Sequence, residues 1–116
     1  MGKKMGTVRI SPGVLATVAQ LTALSVGGVA RMAAGPMAGV SRLLGGRGGS
    51  EGVRVEVSDE SVALDLFVVV KSDFNMLALG REIQAEVTRA IVEMVGMPVR
   101  EVNVHIQDVA GEDPEE

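Results

Sequence analysis

The chain has 116 residues and a mass of 12.0 kDa, which is the size of one domain. Apolar residues make up 47% of the sequence, enough for a hydrophobic core, whereas aromatic residues make up only 2%. With no cysteine and a single histidine, the chain lacks the residues for disulfides, thiolate chemistry and multi-histidine metal sites. The net charge of −4 gives no overall attraction to nucleic acid or anionic lipid, so we expect no nucleic-acid partner.

Charge is unevenly distributed along the chain. Residues 1–58 hold seven basic and two acidic side chains, a net +5, and residues 59–116 hold four basic and thirteen acidic ones, a net −9. Part of the acidic excess lies in the C-terminal residues 110–116, which we expect to be disordered together with residues 1–5. A single domain is predicted over residues 6–109.

No segment has the composition of a membrane span. The longest uncharged run, residues 10–30, is interrupted by proline, glycine and polar residues, whereas a span needs about 20 predominantly apolar residues. We therefore predict a cytoplasmic chain without direct membrane insertion.

The first predicted elements are a short strand and a long apolar helix. Residues 7–10 alternate, with Val8 and Ile10 on one side, which is typical of a strand. Ser11 is suited to cap a helix that begins near Pro12, and the apolar spacing continues to about residue 32. Gly27 and Gly28 weaken the helical pattern, so an alternative is a helix that bends or ends there. We expect this helix to be covered on more than one side, by the sheet and a second helix or by another subunit. Its predicted buried stripe comprises Val14, Val18, Leu21, Val29 and Met32, and it is widened by Leu15, Ala19, Ala23, Val26 and Ala30. The pattern places Thr17, Gln20, Arg31 and Leu24 toward water.

A glycine-rich loop is predicted over residues 33–52. It carries a small apolar cluster of Val40, Leu43 and Leu44 beside Arg42 and Arg47. A connection of this length in a small domain is typically functional or mobile. We therefore predict that these five residues form an interaction segment that becomes ordered on a partner or a neighbouring subunit. The alternative is a short helix already packed on the domain's own core.

The next two segments predict a β-hairpin. Residues 53–57 and 62–70 both alternate, and a turn-forming Ser-Asp-Glu-Ser sequence separates them. The inward face of the second strand consists of Val62, Leu64, Leu66, Val68 and Val70. Phe67 and Val69 lie on the opposite face, where we expect them to be exposed and to form a subunit contact.

The last predicted elements are a helix and a strand. Asn75 is suited to cap a helix that ends before Gly96, and its predicted buried stripe includes Met76, Ile83 and Met94. A strand follows over residues 99–109. The predicted order is β-α-β-β-α-β, and we expect an α+β fold with two helices packed on one face of a small sheet.

The sequence offers no convincing catalytic or metal-binding group, and we predict no cofactor. His105 lies close in sequence to Asp108, but on an alternating strand the two side chains point to opposite faces. Glu82 and Glu86 share one helical face, which would suit an acid/base pair or a cation site but is more simply explained as the solvated face of the helix. We therefore expect a protein without enzymatic activity.

Five segments resemble the alkaline shock protein twenty-three family of bacterial envelope stress response proteins. The resemblance covers residues 6–109, and its most specific part is the closing segment. The segments are Gly6-Thr-Val-Arg-Ile-Ser-Pro, Gly28-Val-Ala, Gly52-Val-Arg-Val-Glu-Val, Leu64-Asp-Leu-Phe-Val-Val-Val and Val102-Asn-Val-His-Ile-Gln-Asp-Val.

The resemblance implies a cytoplasmic, non-enzymatic protein that self-associates as a scaffold or adaptor and docks to a small membrane-anchored partner. It carries over no catalytic residues. A second class stays open at this point, a small RNA-binding module that uses Arg42, Arg47 and Arg54 around the glycine-rich loop.

Overall fold

The computed structural model describes residues 4–34 and 51–111. These residues contain two helices and four strands. In chain order they are α1 (Pro12–Ser25), β1 (Val29–Met32), β2 (Val53–Ser58), β3 (Ser61–Lys71), α2 (Met76–Ala90) and β4 (Val99–Ala110). Helix α2 is extended by one π-helical turn over Ile91–Val95.

The four strands form one mixed sheet with β3 in its centre. Strand β4 pairs in parallel with one edge of β3. The other edge of β3 pairs antiparallel with both β1 and β2, through residues 68–70 and 61–66 respectively. Strands β1 and β2 therefore lie end to end and act as one interrupted strand.

The end of β1 and the start of β2 meet opposite Phe67 of β3. The Ala33 amide donates to the Phe67 carbonyl, and the Phe67 amide donates to the Gly52 carbonyl, both at 2.8 Å. Gly52 has a φ of +78°, and a Cβ there would lie 2.8 Å from the Ala33 carbonyl oxygen. Only glycine fits this close approach. The five loop residues predicted to form an interaction segment, at positions 40–47, lie outside the described part of the chain.

Both helices pack on one face of the sheet. The alternating residues of β3 predicted to face inward are all fully buried, and so are Leu15 of α1 and Ile83 and Ile91 of the second helical segment. Burial of each such aliphatic side chain contributes about 1.5–3 kcal/mol. The predicted α+β fold, with two helices on one face of a small sheet, is confirmed.

The predicted element order is wrong in the first half of the chain. Residues 7–10 are not in a strand, and the first helix ends at Ser25 rather than near residue 32. Gly28, with a φ of +111°, turns the chain so that residues 29–32 become strand β1 instead. A side chain at this position would also clash, since a Cβ would lie 2.9 Å from the Phe74 ring. The described order is therefore α-β-β-β-α-β.

Candidate interaction surface

Helix α1 buries one leucine and several alanines, and it exposes other large apolar side chains. Its buried residues are Leu15 and three alanines at positions 16, 19 and 23. Alanine lets a helix approach the sheet and its neighbouring helix closely, so the alanine side of α1 faces the core.

The opposite side of α1 carries the larger apolar residues. Val14, Leu21 and Leu24 are 49%, 60% and 40% exposed. Together with the exposed Thr17, they follow one another at intervals of three, four and three residues, which places them on one side of a helix. We call Val14, Thr17, Leu21 and Leu24 the outer stripe. The prediction that Val14 and Leu21 are buried is wrong, because the alanine side was the one that packs.

Helix α1 also carries no charged residue between Pro12 and Ser25. A solvated surface helix normally has charged residues on its outer side, and a helix that is apolar all round is normally covered. The outer stripe therefore has the composition of a protein contact. It has no basic side chain that could bind the phosphate group of a nucleic acid or a lipid.

Hydrogen bonds hold α1 in place. Ser11 caps its first turn, with the Val14 amide donating to the Ser11 hydroxyl oxygen at 3.4 Å. Further along, the Gln20 side-chain amide donates to the backbone carbonyl of Glu51 at 3.1 Å, which ties the helix to the start of β2. The outer stripe is thus presented on a fixed element of the fold.

The sheet face away from the helices carries a polar cluster. Asp65 on β3 lies between Arg54 on β2, at 3.6 Å, and Nε2 of His105 on β4, at 2.9 Å. The His105 ring stacks on Phe67, with ring centroids 4.6 Å apart. Neighbouring strands align these residues, because Asp65 pairs with Arg54 and Phe67 pairs with His105 in the sheet register.

The environment of Asp65 favours its ionised form. Partial burial by itself raises the pKa of this carboxyl group, but the hydrogen bond from His105 and the charge of Arg54 lower it by more, with a further contribution from Asn103. The net effect is a pKa below the usual value, so Asp65 is a carboxylate at neutral pH. The cluster stabilises the contact between three strands.

The predicted exposure of Phe67 and Val69 is wrong. Their side chains are only 5% and 3% exposed, and the His105 ring covers part of Phe67. Their role in a subunit contact stays a prediction, and a surface of accessible apolar side chains is found on α1 instead. The sequence signal that could have identified α1 is its lack of charge combined with its alanine spacing.

The described residues 4–34 and 51–111 contain no arrangement typical of a catalytic or metal centre. No group of three or more histidine, aspartate or glutamate side chains in them is placed to hold a metal ion. The prediction that His105 and Asp108 point to opposite faces is wrong, because a register shift breaks the alternation of β4 and pairs the two residues with Phe67 and Val69, which share one face of β3. His105 nevertheless contacts Asp65, and the Asp108 carboxylate accepts a hydrogen bond from the next backbone amide. Glu86 of the predicted acidic pair with Glu82 is bound to Arg89.

Within the same residues, no helix is both long and apolar enough to cross a membrane.

Comparison with known proteins identifies the family. The profile of the alkaline shock protein twenty-three family, described as having a cell envelope-related function, matches residues 1–111. The chain therefore belongs to this family. The resemblance seen in the sequence is confirmed.

Two relatives from Bacillus subtilis (strain 168) are similar over most of the chain. The chain is 28% identical to the uncharacterized protein YqhY over 102 residues, which cover 88% of this chain and 76% of YqhY. It is 26% identical to the uncharacterized protein YloU over 113 residues, which cover 96% of this chain and 94% of YloU.

Solved structures of two variants of the MamM CTD share the fold. Each has a TM-score of 0.50 and 13% sequence identity, over 81% of this chain and 90% of the compared chain. At this level of identity, the similarity concerns the arrangement of the elements alone.

Proposed function

We propose that this member of the alkaline shock protein twenty-three family is a cytoplasmic, non-enzymatic adaptor of the cell envelope. It self-associates as a scaffold and docks through the outer stripe of α1 to a membrane-anchored protein. The docking partner contributes an apolar helix, because the outer stripe is itself helical, apolar and uncharged.

One observation carries this proposal. Helix α1 places alanines toward the core and two leucines toward solvent, and it has no charged residue to keep that outer side hydrated. Residues spaced by three and four positions pack against a second helix with their side chains interdigitated. An apolar partner would cover Val14, Leu21 and Leu24, and burial of their side chains would stabilise the complex.

The polar groups of the described chain support an adaptor rather than an enzyme. The Asp65 cluster lies on a sheet face, and each of its charged members is already engaged by another member. The same contact weighs against the RNA-binding alternative, because Arg54, the described arginine of the three proposed to contact phosphate, is paired with Asp65.

The proposal is tested by sedimentation with membranes of the host cell. We expect the wild-type protein to pellet with untreated membranes and to stay in the supernatant after the membrane proteins have been digested with protease. A variant with Leu21→Lys and Leu24→Lys should lose pelleting without loss of folding.

The matched control changes two exposed apolar residues of the other helical segment, Val92→Lys and Met94→Lys, which are 46% and 71% exposed in the wild type. This control should pellet like the wild type. Pelleting that survives protease, or that the outer-stripe variant retains, would contradict docking to a protein through α1.

A further inference from the structure

The segment before α1 has the sequence of a strand but pairs with none of the described strands. Residues 4–10 lie outside the helices and strands of the described chain. Within this segment, Met5 and Val8 are 94% and 88% exposed, and Ile10 is 36% exposed. The alternation of Val8 and Ile10 with polar residues is the pattern of a half-buried strand. An apolar face of this kind is normally covered.

The outer edge of β4 is the matching feature. This strand has twelve residues, and among the described elements it pairs with β3 alone, so its other edge has no partner strand. A groove of about 310 Å³ lies between α2 and β4, and its apolar lining consists of Met76, Leu77, Val104 and Ile106. Two polar side chains, Arg81 and Gln84, also line it. Gly80 opens the groove further, since a Cβ there would contact nothing.

We propose that residues 7–10 of a second copy of this chain add as a strand to the outer edge of β4. Backbone hydrogen bonds form along the edge, and Val8 and Ile10 point into the groove beside α2. The inference rests on the self-association in the proposed function and names the surfaces that produce it.

Charge favours this pairing. The segment carries Lys4 and Arg9 and no acidic residue. When Val8 and Ile10 face the groove, Arg9 points to the opposite face of the sheet, because successive side chains of a strand alternate. Glu101 and Asp108 of β4 are exposed and lie on that face with the residues they pair with on β3.

The geometry of the fold favours a second copy over the same chain. Helix α1 packs over β1 and β2, whereas α2 packs over β4. The segment is therefore joined to the helix that covers β1 and β2, and not to the helix that covers β4. The opposite edge of the sheet is a poorer acceptor, because it is divided between β1, with four residues, and β2, with six.

Each copy would then donate one segment and accept another. A contact between two different surfaces of the same chain extends into open assemblies unless its rotation closes a ring. The inference thus explains how a domain of this size could build a scaffold.

Disulfide trapping between two single-cysteine variants tests the pairing, since the chain has no cysteine of its own. Full-length Val8→Cys protein is mixed with full-length Val104→Cys protein under mild oxidation. We expect a mixed disulfide dimer, because side chains on neighbouring strands come within bonding distance. The control partner is Val57→Cys on β2, where the wild-type residue is 43% exposed.

The expected yield of the mixed dimer with Val104→Cys is on the order of tenfold above that with Val57→Cys, since association raises the effective concentration of the two thiols. Equal yields would overturn the inference. Circular dichroism confirms that each variant is folded.

A second measurement separates this inference from the proposed function. Val8→Pro removes a backbone donor at an exposed position, and Val8→Ile keeps it. We expect light scattering to show self-association for the wild type and Val8→Ile, and its loss for Val8→Pro. Association retained by Val8→Pro would overturn strand addition and leave the scaffold proposal standing, whereas a monomeric wild type would overturn both.

Discussion

The two helices cover the same face of one sheet and yet differ on their outer sides. Helix α2 exposes Met76 and Leu77 in its first turn. Further along it buries Leu79, Ile83 and Val87 and carries charged residues outside, where Arg89 pairs with Glu86 and Glu93. Helix α1 buries mostly alanines, exposes leucines and carries no charge.

This difference teaches that burial in the domain core does not account for the whole composition of α1. Leu15 and the alanines make the contact of α1 with the core, so the exposed Leu21 and Leu24 are not needed for that contact. Helix α2 has the ordinary amphipathic pattern of a solvated helix, which makes it an internal reference for α1.

The largest expected effect comes from the buried side of each helix. Leu15→Ala in α1 and Ile83→Ala in α2 should each lower the free energy of unfolding by about 2–5 kcal/mol, because each change leaves a cavity among fully buried side chains. Leu21→Ala should cost much less, about 0.5 kcal/mol or below, since its side chain is 60% exposed. Denaturant titration of the three variants measures these differences. A cost for Leu21→Ala as large as that for Leu15→Ala would remove the contrast between the two sides of α1.

A smaller effect is expected at the helix caps. The Asn75 side chain accepts from the Ala78 amide at 2.8 Å, whereas the Ser11 side chain accepts from the Val14 amide at 3.4 Å. We expect Asn75→Ala to cost about 1 kcal/mol and Ser11→Ala to cost about half of that. Urea denaturation with Asn75→Asp and Ser11→Thr as capping controls compares the two ends. A larger cost at Ser11 would show that α1 depends on its cap more than its geometry indicates.

The smallest expected effect concerns the charged side of α2. Arg89→Gln removes the ion pairs with Glu86 and Glu93, both of which are formed at exposed positions. We expect a slight decrease in the denaturation midpoint at low salt that disappears at about 1 M salt, where such charges are screened. Thr17→Gln in the uncharged helix α1 should show no such salt dependence. A decrease that persists at high salt would mean that Arg89 acts through packing.

The helices and strands of the second half of the chain could be predicted from sequence because its patterns have one interpretation, but the predicted burial of two residues is wrong: Met76 and Met94, expected to be buried, are 41% and 71% exposed. Strict alternation in residues 53–57 and 62–70 fits only a hairpin, and Asn75 and Gly96 mark the ends of a helical pattern. The first half could not, because Val29 and Met32 continue the helical spacing of α1 and yet belong to strand β1, so the apolar spacing predicts a helix where the fold has a strand. The backbone turn at Gly28 decides between them.

The candidate site was harder to predict than the fold. The contact of His105 with Asp65 joins residues forty positions apart and depends on the parallel register of β3 and β4, which no local pattern contains. The outer stripe could be predicted only in part, because the sequence places Thr17 and Leu24 toward water, whereas the apolar spacing of Val14 and Leu21 indicates burial and both are exposed. Residues 7–10 alternate like a strand, but alternation does not specify the strand's partner.

Protection of a single thiol on α1 tests the adaptor account most directly. Leu21→Cys protein is exposed to a maleimide reagent with and without host membranes, and Val92→Cys serves as the reference at a comparably exposed position, 46% against 60% in the wild type. The account predicts that untreated membranes slow the labelling of position 21 and leave position 92 unchanged, and that protease-treated membranes slow neither. Equal labelling of position 21 with and without membranes would contradict it.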